Sequence, residues 1–308
     1  DSVSNARASR HGAFSHLLQT DNAPAVPLAL VTILLGLYVY SQNENFLSAY
    51  NVYNIFLLAT ALGFIALGQT IALLMGGIDL SVGPLAGFAL MFAGALITGA
   101  VNGILIRYAN FTPIAATLAM YIAIQGFSFL LRDNPDGYIS STATDWINWQ
   151  WGPFPVAFLV LVGIAIGAEQ VLRRTKAGWR LRAVGSDEDS ARRMGSRVDL
   201  IFIGGYIACS LLTALGAIML MTQIGVGDPR QGVNYTLSSI TAVVLGGTSL
   251  TGGRGTFIGT VLGAVLLTEV LNAATFLGLT QTYQYLFQGI LIVIAALIYS
   301  TVQRRATR

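Results

Sequence analysis

The chain is dominated by unbroken apolar runs about as long as a bilayer is thick. A helix of ~20 apolar residues crosses the hydrocarbon core. Runs of that kind lie near 24–42, 52–75, 113–131, 154–172, 199–222, 255–276 and 283–302, with shorter or interrupted ones over 80–106 and 235–250. In lipid only helices and closed barrels satisfy every backbone N–H and C=O. A barrel shows alternating strands of about ten residues, whereas these runs are continuous. Over 308 residues, 54% are hydrophobic and 10% charged, against roughly 25% charged in soluble domains. A soluble globular enzyme and a disordered chain are both excluded. The expectation is an all-α polytopic membrane protein, one transmembrane domain over 1–308.

Basic residues set the expected orientation. Residues 173–197 carry eight Lys/Arg against three acids, and the C-terminus carries Arg304, Arg305 and Arg308. Segment 132–152 reverses the balance, with Asp133, Asp136 and Asp145 beside Trp146, Trp149 and Trp151. This places 132–152 outside, and 173–197 with both termini, including segment 1–22, in the cytoplasm. No small-residue cleavage site follows the first run, which reads as a retained span. Both termini on one side require an even number of spans. Gly76–Gly83 and Arg107–Thr112 then fall on the same side, yet the stretch between them is far shorter than the ~40 residues two crossings need. Either two short half-helices fill it, or roughly ten to twenty residues are missing near Ala89–Phe92. The second is preferred, giving about ten spans.

Several chemistries lack their residues. The single cysteine, Cys209, lies in an apolar run, and both histidines, His11 and His16, lie in the polar N-terminal segment. No metal cluster and no imidazole base is therefore expected within the spans. The sole lysine, Lys176, is not in a GxxxxGK[ST] loop, so nucleotide hydrolysis by this chain is not expected.

Two apolar helices are interrupted by related glycine runs. The first is Gly76-Gly77-Ile78-Asp79-Leu80-Ser81-Val82-Gly83 and the second is Gly246-Gly247-Thr248-Ser249-Leu250-Thr251-Gly252-Gly253. Both read Gly-Gly-x-(Asp/Ser)-Leu-(Ser/Thr)-x-Gly. Paired broken helices point to a transport fold with internal repeats, although shared helix-breaking chemistry without true repetition gives the same pattern. Asp79 and Ser81 are suited to cap the next helix start. In the cytoplasmic segment Ser186 fits an N-cap, with Asp189 as its capping-box partner. Asp187, Glu188 and Asp189 fill a first turn, Arg192 and Arg193 follow Ala191 in the last, and Met194-Gly195 ends it. This short polar helix is either a docking knob or a solvated loop helix.

These runs, with Val101-Asn102-Gly103, Thr175-Lys176-Ala177-Gly178 and Arg182-Ala183-Val184-Gly185, resemble the membrane permease subunit of bacterial ABC sugar importers of the ribose, xylose and galactofuranose type. The resemblance covers about Ala49 to Ser300, and is shortened only between Gly83 and Asn102. It implies an ABC importer permease fold in the bacterial inner membrane and a paired second permease, identical or homologous. It also implies two ATPase domains that bind ATP and Mg, and a periplasmic sugar-binding protein. Neither a cofactor in this chain nor a nucleic-acid partner is expected. The family's coupling helix falls on Ser186–Met194.

A path for a neutral polyhydroxylated solute calls for amides, hydroxyls and aromatic faces. Candidates are Gln69, Asn102, Gln125, Asn272 and Thr275, each a polar side chain in an apolar run, with an interhelical hydrogen bond as the alternative role. Glu269, an acid deep in a late span, is a further candidate, or else an interface residue paired with an Arg. Arg254 is placed near the cytoplasmic face, and Asp228-Pro229-Arg230-Gln231-Gly232 outside. The rival functions are an ion-coupled secondary transporter, a membrane-embedded enzyme and a sensor. The first needs buried ionisable groups, and the spans carry few besides Asp79 and Glu269.

Overall fold

A computed structural model describes residues 25–87, 91–131, 134–135 and 139–306. Segment 1–22, Asp133, Asp136 and Arg308 lie outside the described residues. So do residues 88–90, where the omission expected near Ala89–Phe92 falls.

The helices are α1 (Ala25–Gln42), α2 (Ala49–Leu74), α3 (Val82–Gly87), α4 (Met91–Arg107), α5 (Pro113–Leu131) and α6 (Ser141–Ile147). A two-strand hairpin, β1 (Gln150–Trp151) with β2 (Phe154–Pro155), precedes α7 (Val156–Arg174), α8 (Lys176–Ser186) and α9 (Glu188–Arg193). The chain closes with α10 (Val198–Ile224), α11 (Val233–Leu245), α12 (Phe257–Phe276) and α13 (Gln281–Ala306). Among the described residues six helices, α1, α2, α5, α7, α10 and α12, are long and apolar enough to cross a membrane. The shorter α4 and α11 are also apolar. Between Gly83 and Arg107 the described residues form a six-residue half-helix and a 17-residue helix.

α2 is the axis of the bundle. Residues 59–70 are buried on every side, as expected for a helix that is apolar all round, and α10, α12, α11 and α7 pack around it. Contacts at its two ends fix their directions. At its start Asn51 Nδ2 donates to Asn272 Oδ1 near the end of α12 (3.0 Å), and at its finish Leu74 O accepts from Gly253 N ahead of α12 (2.9 Å). α12 therefore runs antiparallel to α2. Phe56 stacks near Phe154 and Phe158 at the start of α7, with ring centroids 5.0 and 4.6 Å away, so α7 runs parallel to α2.

α4 and α10 approach backbone to backbone. A Cβ on Gly99 would lie 2.5 Å from Ile207 Cα, and one on Gly103 would lie 2.6 Å from Ile203 Cα. Gly99-Ala100-Val101-Asn102-Gly103 is thus a small-xxx-small contact, the usual means of close helix packing in lipid.

The polar segment forms two helices, not one. Ser186 is the last residue of α8. The N-cap of α9 is Asp187, whose Oδ1 accepts from Ser190 N (3.1 Å) while Ser190 Oγ donates to Oδ2 (2.6 Å). This corrects the expected Ser186 cap and Asp189 capping box: a carboxylate accepts two donors at once and is the stronger acceptor. Glu188 and Asp189 in the first turn, Arg192 and Arg193 in the last, and Gly195 at φ 83° after the end are as read.

Candidate functional site

Both glycine runs end a helix in the same way. After α2, Gly76 sits at φ 79°; Gly76 N donates to Leu73 O and Gly77 N to Ala72 O. After α11, Gly247 sits at φ 85°; its N donates to Val244 O and Thr248 N to Val243 O. Each is a Schellman ending with a left-handed residue that only glycine adopts without strain. The left-handed position falls on the first glycine of one pair and the second of the other. Beyond the endings the repeat holds atom for atom. Asp79 Oδ1 accepts from Ser81 N (2.9 Å) and Ser81 Oγ (2.6 Å). Ser249 Oγ accepts from Thr251 N (3.1 Å) and meets Thr251 Oγ1 at 2.8 Å.

The two breaks meet each other and the segment leading into α9. Gly253 N donates to Leu74 O. A Cβ on Gly252 would lie 2.5 Å from Gly185 O and 2.8 Å from Gly76 N, and one on Gly185 would overlap Leu74 O and reach 2.8 Å from Gly253 N. Three backbones therefore touch at one junction, with no side chain between them. Arg182 Nη2 also donates to Gly255 O (3.2 Å). α9 is anchored beside this junction. Arg107 at the end of α4 holds Glu188 and Asp199, both at 2.7 Å, and Arg192 reaches the same acids at 3.4 and 3.2 Å. Hydrogen bonds from Arg107, reinforced by Arg192, hold the Glu188 carboxyl below the ordinary range. Ala191 is fully buried in the core with Val198 and Phe202, while Met194 is 73% exposed. The tip of α9 thus presents Asp189, Arg193 and Met194 outward.

One turn inward, Asp79 is wholly buried and organises a polar cluster. With the Gln69 carboxamide turned to satisfy both its ends, its nitrogen donates to Asp79 O (2.9 Å) and its oxygen accepts from Asp79 N (3.2 Å). Asn102 Nδ2 donates to Ser81 Oγ (3.0 Å), Cys209 Sγ to Asp79 Oδ2 (3.5 Å), and Thr117 Oγ1 to Ile78 O (3.1 Å). Gln69 and Asn102 are fully buried and bond to the first break; neither borders the open cavity at the other end of the bundle. Gln125 also bonds backbone, donating from Nε2 to Pro229 O (3.1 Å).

Asn272 and Thr275 are brought together at the opposite end of the bundle. There α2, α11, α12 and α13 enclose an open cavity of about 310 Å³. Asn234, Ser238, Thr268, Gln281, Gln284, Gln288, Tyr235 and Tyr285 complete its polar lining, with no charged side chain. Gln284 Nε2 donates to Thr275 Oγ1 and Gln288 Nε2 to Ser238 Oγ, both at 3.0 Å. The α11 and α13 residues were missed in sequence, although the amides recur at Gln281, Gln284 and Gln288 with helical spacing. Glu269 is elsewhere. It faces α1 in a separate apolar cavity of about 270 Å³ bordered by Gly36 and Phe46, and its Oε2 has no partner among the described residues. The Arg pairing considered for it is not formed among the described residues. Arg254 is exposed on the second break, and Asp228 closes a turn by accepting from Arg230 N (2.8 Å).

Among the described residues no group of three or more His, Cys, Asp or Glu could hold a metal. A bundle of membrane-spanning helices with two repeated breaks, a polar cavity and an anchored surface helix defines a transport permease. Residues 83–296 match the family described as branched-chain amino acid transport system / permease component, and the chain belongs to it. It is a multi-pass permease subunit of the ABC importer class and not itself an ATPase. The ribose import permease of Bacillus subtilis is 32% identical over 292 residues, covering 86% of this chain and 89% of the relative. An L-arabinose ABC transporter permease of Azospirillum brasilense is 30% identical, covering 91% and 89%. The galactose/methyl galactoside import permease of Haemophilus influenzae is 28% identical, covering 88% and 92%. No solved structure matches.

Proposed function

We propose that this chain translocates a monosaccharide or similar small polar solute into the bacterial cytoplasm, driven by a separate ATPase. The observation that carries the reading is the cavity at the end of α12. Beside Leu58, Leu62 and Leu271 its lining is amide, hydroxyl and aromatic with no fixed charge, which suits a neutral polyol and disfavours sugar phosphates and free ions. The relatives named for ribose, arabinose and galactose support the substrate class.

The excess of Lys/Arg in segment 173–197 supports an orientation with the junction in the cytoplasm and the cavity toward the periplasm. Both termini then lie in the cytoplasm. A binding protein delivers solute to the cavity side, and a second permease subunit, identical or homologous, completes the passage. Two ATPase domains, which hold ATP and Mg, press on the exposed tip of α9. Because α9 leads directly into the glycine junction, a shift of α9 moves both helix breaks together as a bistable rigid-body step.

The test is uptake of ribose, arabinose and galactose in proteoliposomes that contain the permease, its ATPase and its binding protein. Uptake of one sugar should require all three and ATP. Gln284→Leu, which removes one cavity amide, should lower it about tenfold, the loss of one buried hydrogen bond to solute. Uptake that follows an H⁺ or Na⁺ gradient without ATP would establish the secondary-transporter alternative instead.

A further inference from the structure

A third cavity, of about 440 Å³, lies at the junction end between α7, α8 and α10. Ile71, Leu172, Leu181, Ile201 and Phe257 make its walls apolar, and Gly204 opens one side, since a Cβ there would meet nothing within 4 Å. Arg180 is the one charged residue in its lining. Lys176 stands four residues earlier on α8, so the two cations share one helix face. No acid occurs anywhere in Lys176–Ser186, and like charges at this spacing repel. Neither Lys176 nor Arg180 makes an ion pair among the described residues. Trp179, between them, is 65% exposed, and its Nε1 donates to Arg173 O (2.8 Å). An aromatic in this position marks the level of the lipid headgroups.

We propose that this groove holds an acyl chain of an anionic phospholipid whose headgroup phosphate rests on Lys176 and Arg180. The apolar walls match a chain, and Arg180 in the lining, with Lys176 one turn before it on α8, matches a negative headgroup at the cytoplasmic surface. A protein partner would need to bring both an apolar finger and an acid to this place, whereas an anionic lipid carries both in one molecule. The site depends on the proposed orientation only for which leaflet supplies the lipid, and on nothing concerning the transported solute.

The test uses the full chain in nanodiscs, with Trp146, Trp149 and Trp151 changed to Phe so that Trp179 alone reports. Phosphatidylglycerol or phosphatidylcholine with brominated acyl chains is titrated, and quenching of Trp179 is read. The brominated phosphatidylglycerol should be preferred by about tenfold or more, from two basic contacts. Lys176→Gln with Arg180→Gln should abolish the preference and leave residual quenching by both lipids. Gly204→Leu, which fills the groove, should weaken quenching by both lipids. Equal quenching in the unmodified site, or a preference untouched by either change, overturns the proposal. So does loss of the preference when the cognate ATPase is bound, because the face would then belong to that partner. Uptake measured in the same variants fails separately if the transport reading is wrong, since lipid binding needs no solute.

Discussion

Gly185→Ala puts the glycine junction to a test in which two physical effects oppose each other. Gly185 lies inside α8, and an exposed helix interior favours Ala over Gly by about 1 kcal/mol. On local propensity alone the variant is more stable. The added methyl, however, would overlap Leu74 O and stand 2.8 Å from Gly253 N, the two atoms that hydrogen-bond to each other across the breaks at 2.9 Å. Both atoms are backbone and cannot turn aside. Overpacking of this kind costs about 1–3 kcal/mol, and separating the pair orphans a donor and an acceptor at about 1–3 kcal/mol. The junction therefore wins by on the order of 1–5 kcal/mol, and α8 is forced away from the breaks. The expected outcome is a permease that still inserts and binds its ATPase, melts several degrees lower, and hydrolyses ATP with little uptake. Differential scanning fluorimetry and proteoliposome uptake read the two effects. Gly163→Ala on the exposed face of α7, where a Cβ meets nothing within 4 Å, is the control and should be silent or slightly stabilising. If Gly185→Ala matches Gly163→Ala in both measurements, the three-backbone contact does not couple α9 to the breaks and the reasoning is refuted.

Two further outcomes follow from the acidic residues near the junction. Asp79→Ala removes the acceptor for Ser81 N and Ser81 Oγ and should lower the melting temperature, at about 1–3 kcal/mol for each orphaned buried donor. Asp79→Asn keeps the Oδ1 acceptor and should retain most of that stability, so equal losses in the two variants argue against the cap. The depressed pKa of Glu188 means that its anchoring of α9 is fully present above the ordinary carboxylate range. It is lost as pH falls through the lowered value. Co-purification of the ATPase should therefore hold down to the ordinary Glu value, about pH 4.3, and weaken below it, and Glu188→Gln should show the weakened level at neutral pH. A docking strength flat across that window excludes the ion network as the anchor of α9.

The long spans were readable from the sequence because the bilayer sets their length, and the two breaks because each Gly-Gly pair is followed by an Asp or Ser that bonds the backbone two residues on; Gly204-Gly205, which has no such residue after it, lies inside α10 without ending it. The half-helix α3, the split of 173–197 into two helices, and the Asp187 cap were read less well. Ser186 and Asp187 are both good caps, and the choice between them depends on where α8 stops against the junction. The destinations of the polar residues were not readable at all. Asn102 and Asn272 give the same local signal, one amide in an apolar run, yet one is sealed in the Asp79 cluster and the other borders the open cavity. In a soluble helix the apolar stripe would point to the core and the polar face to water. In lipid both faces of a helix are apolar, so periodicity does not say which side meets protein. Span length and the two glycine-led helix endings are local and were therefore written in the sequence. Which amide borders the open cavity, which glycine meets backbone and where Glu269 looks all depend on residues from other helices, and only the packed bundle decided them.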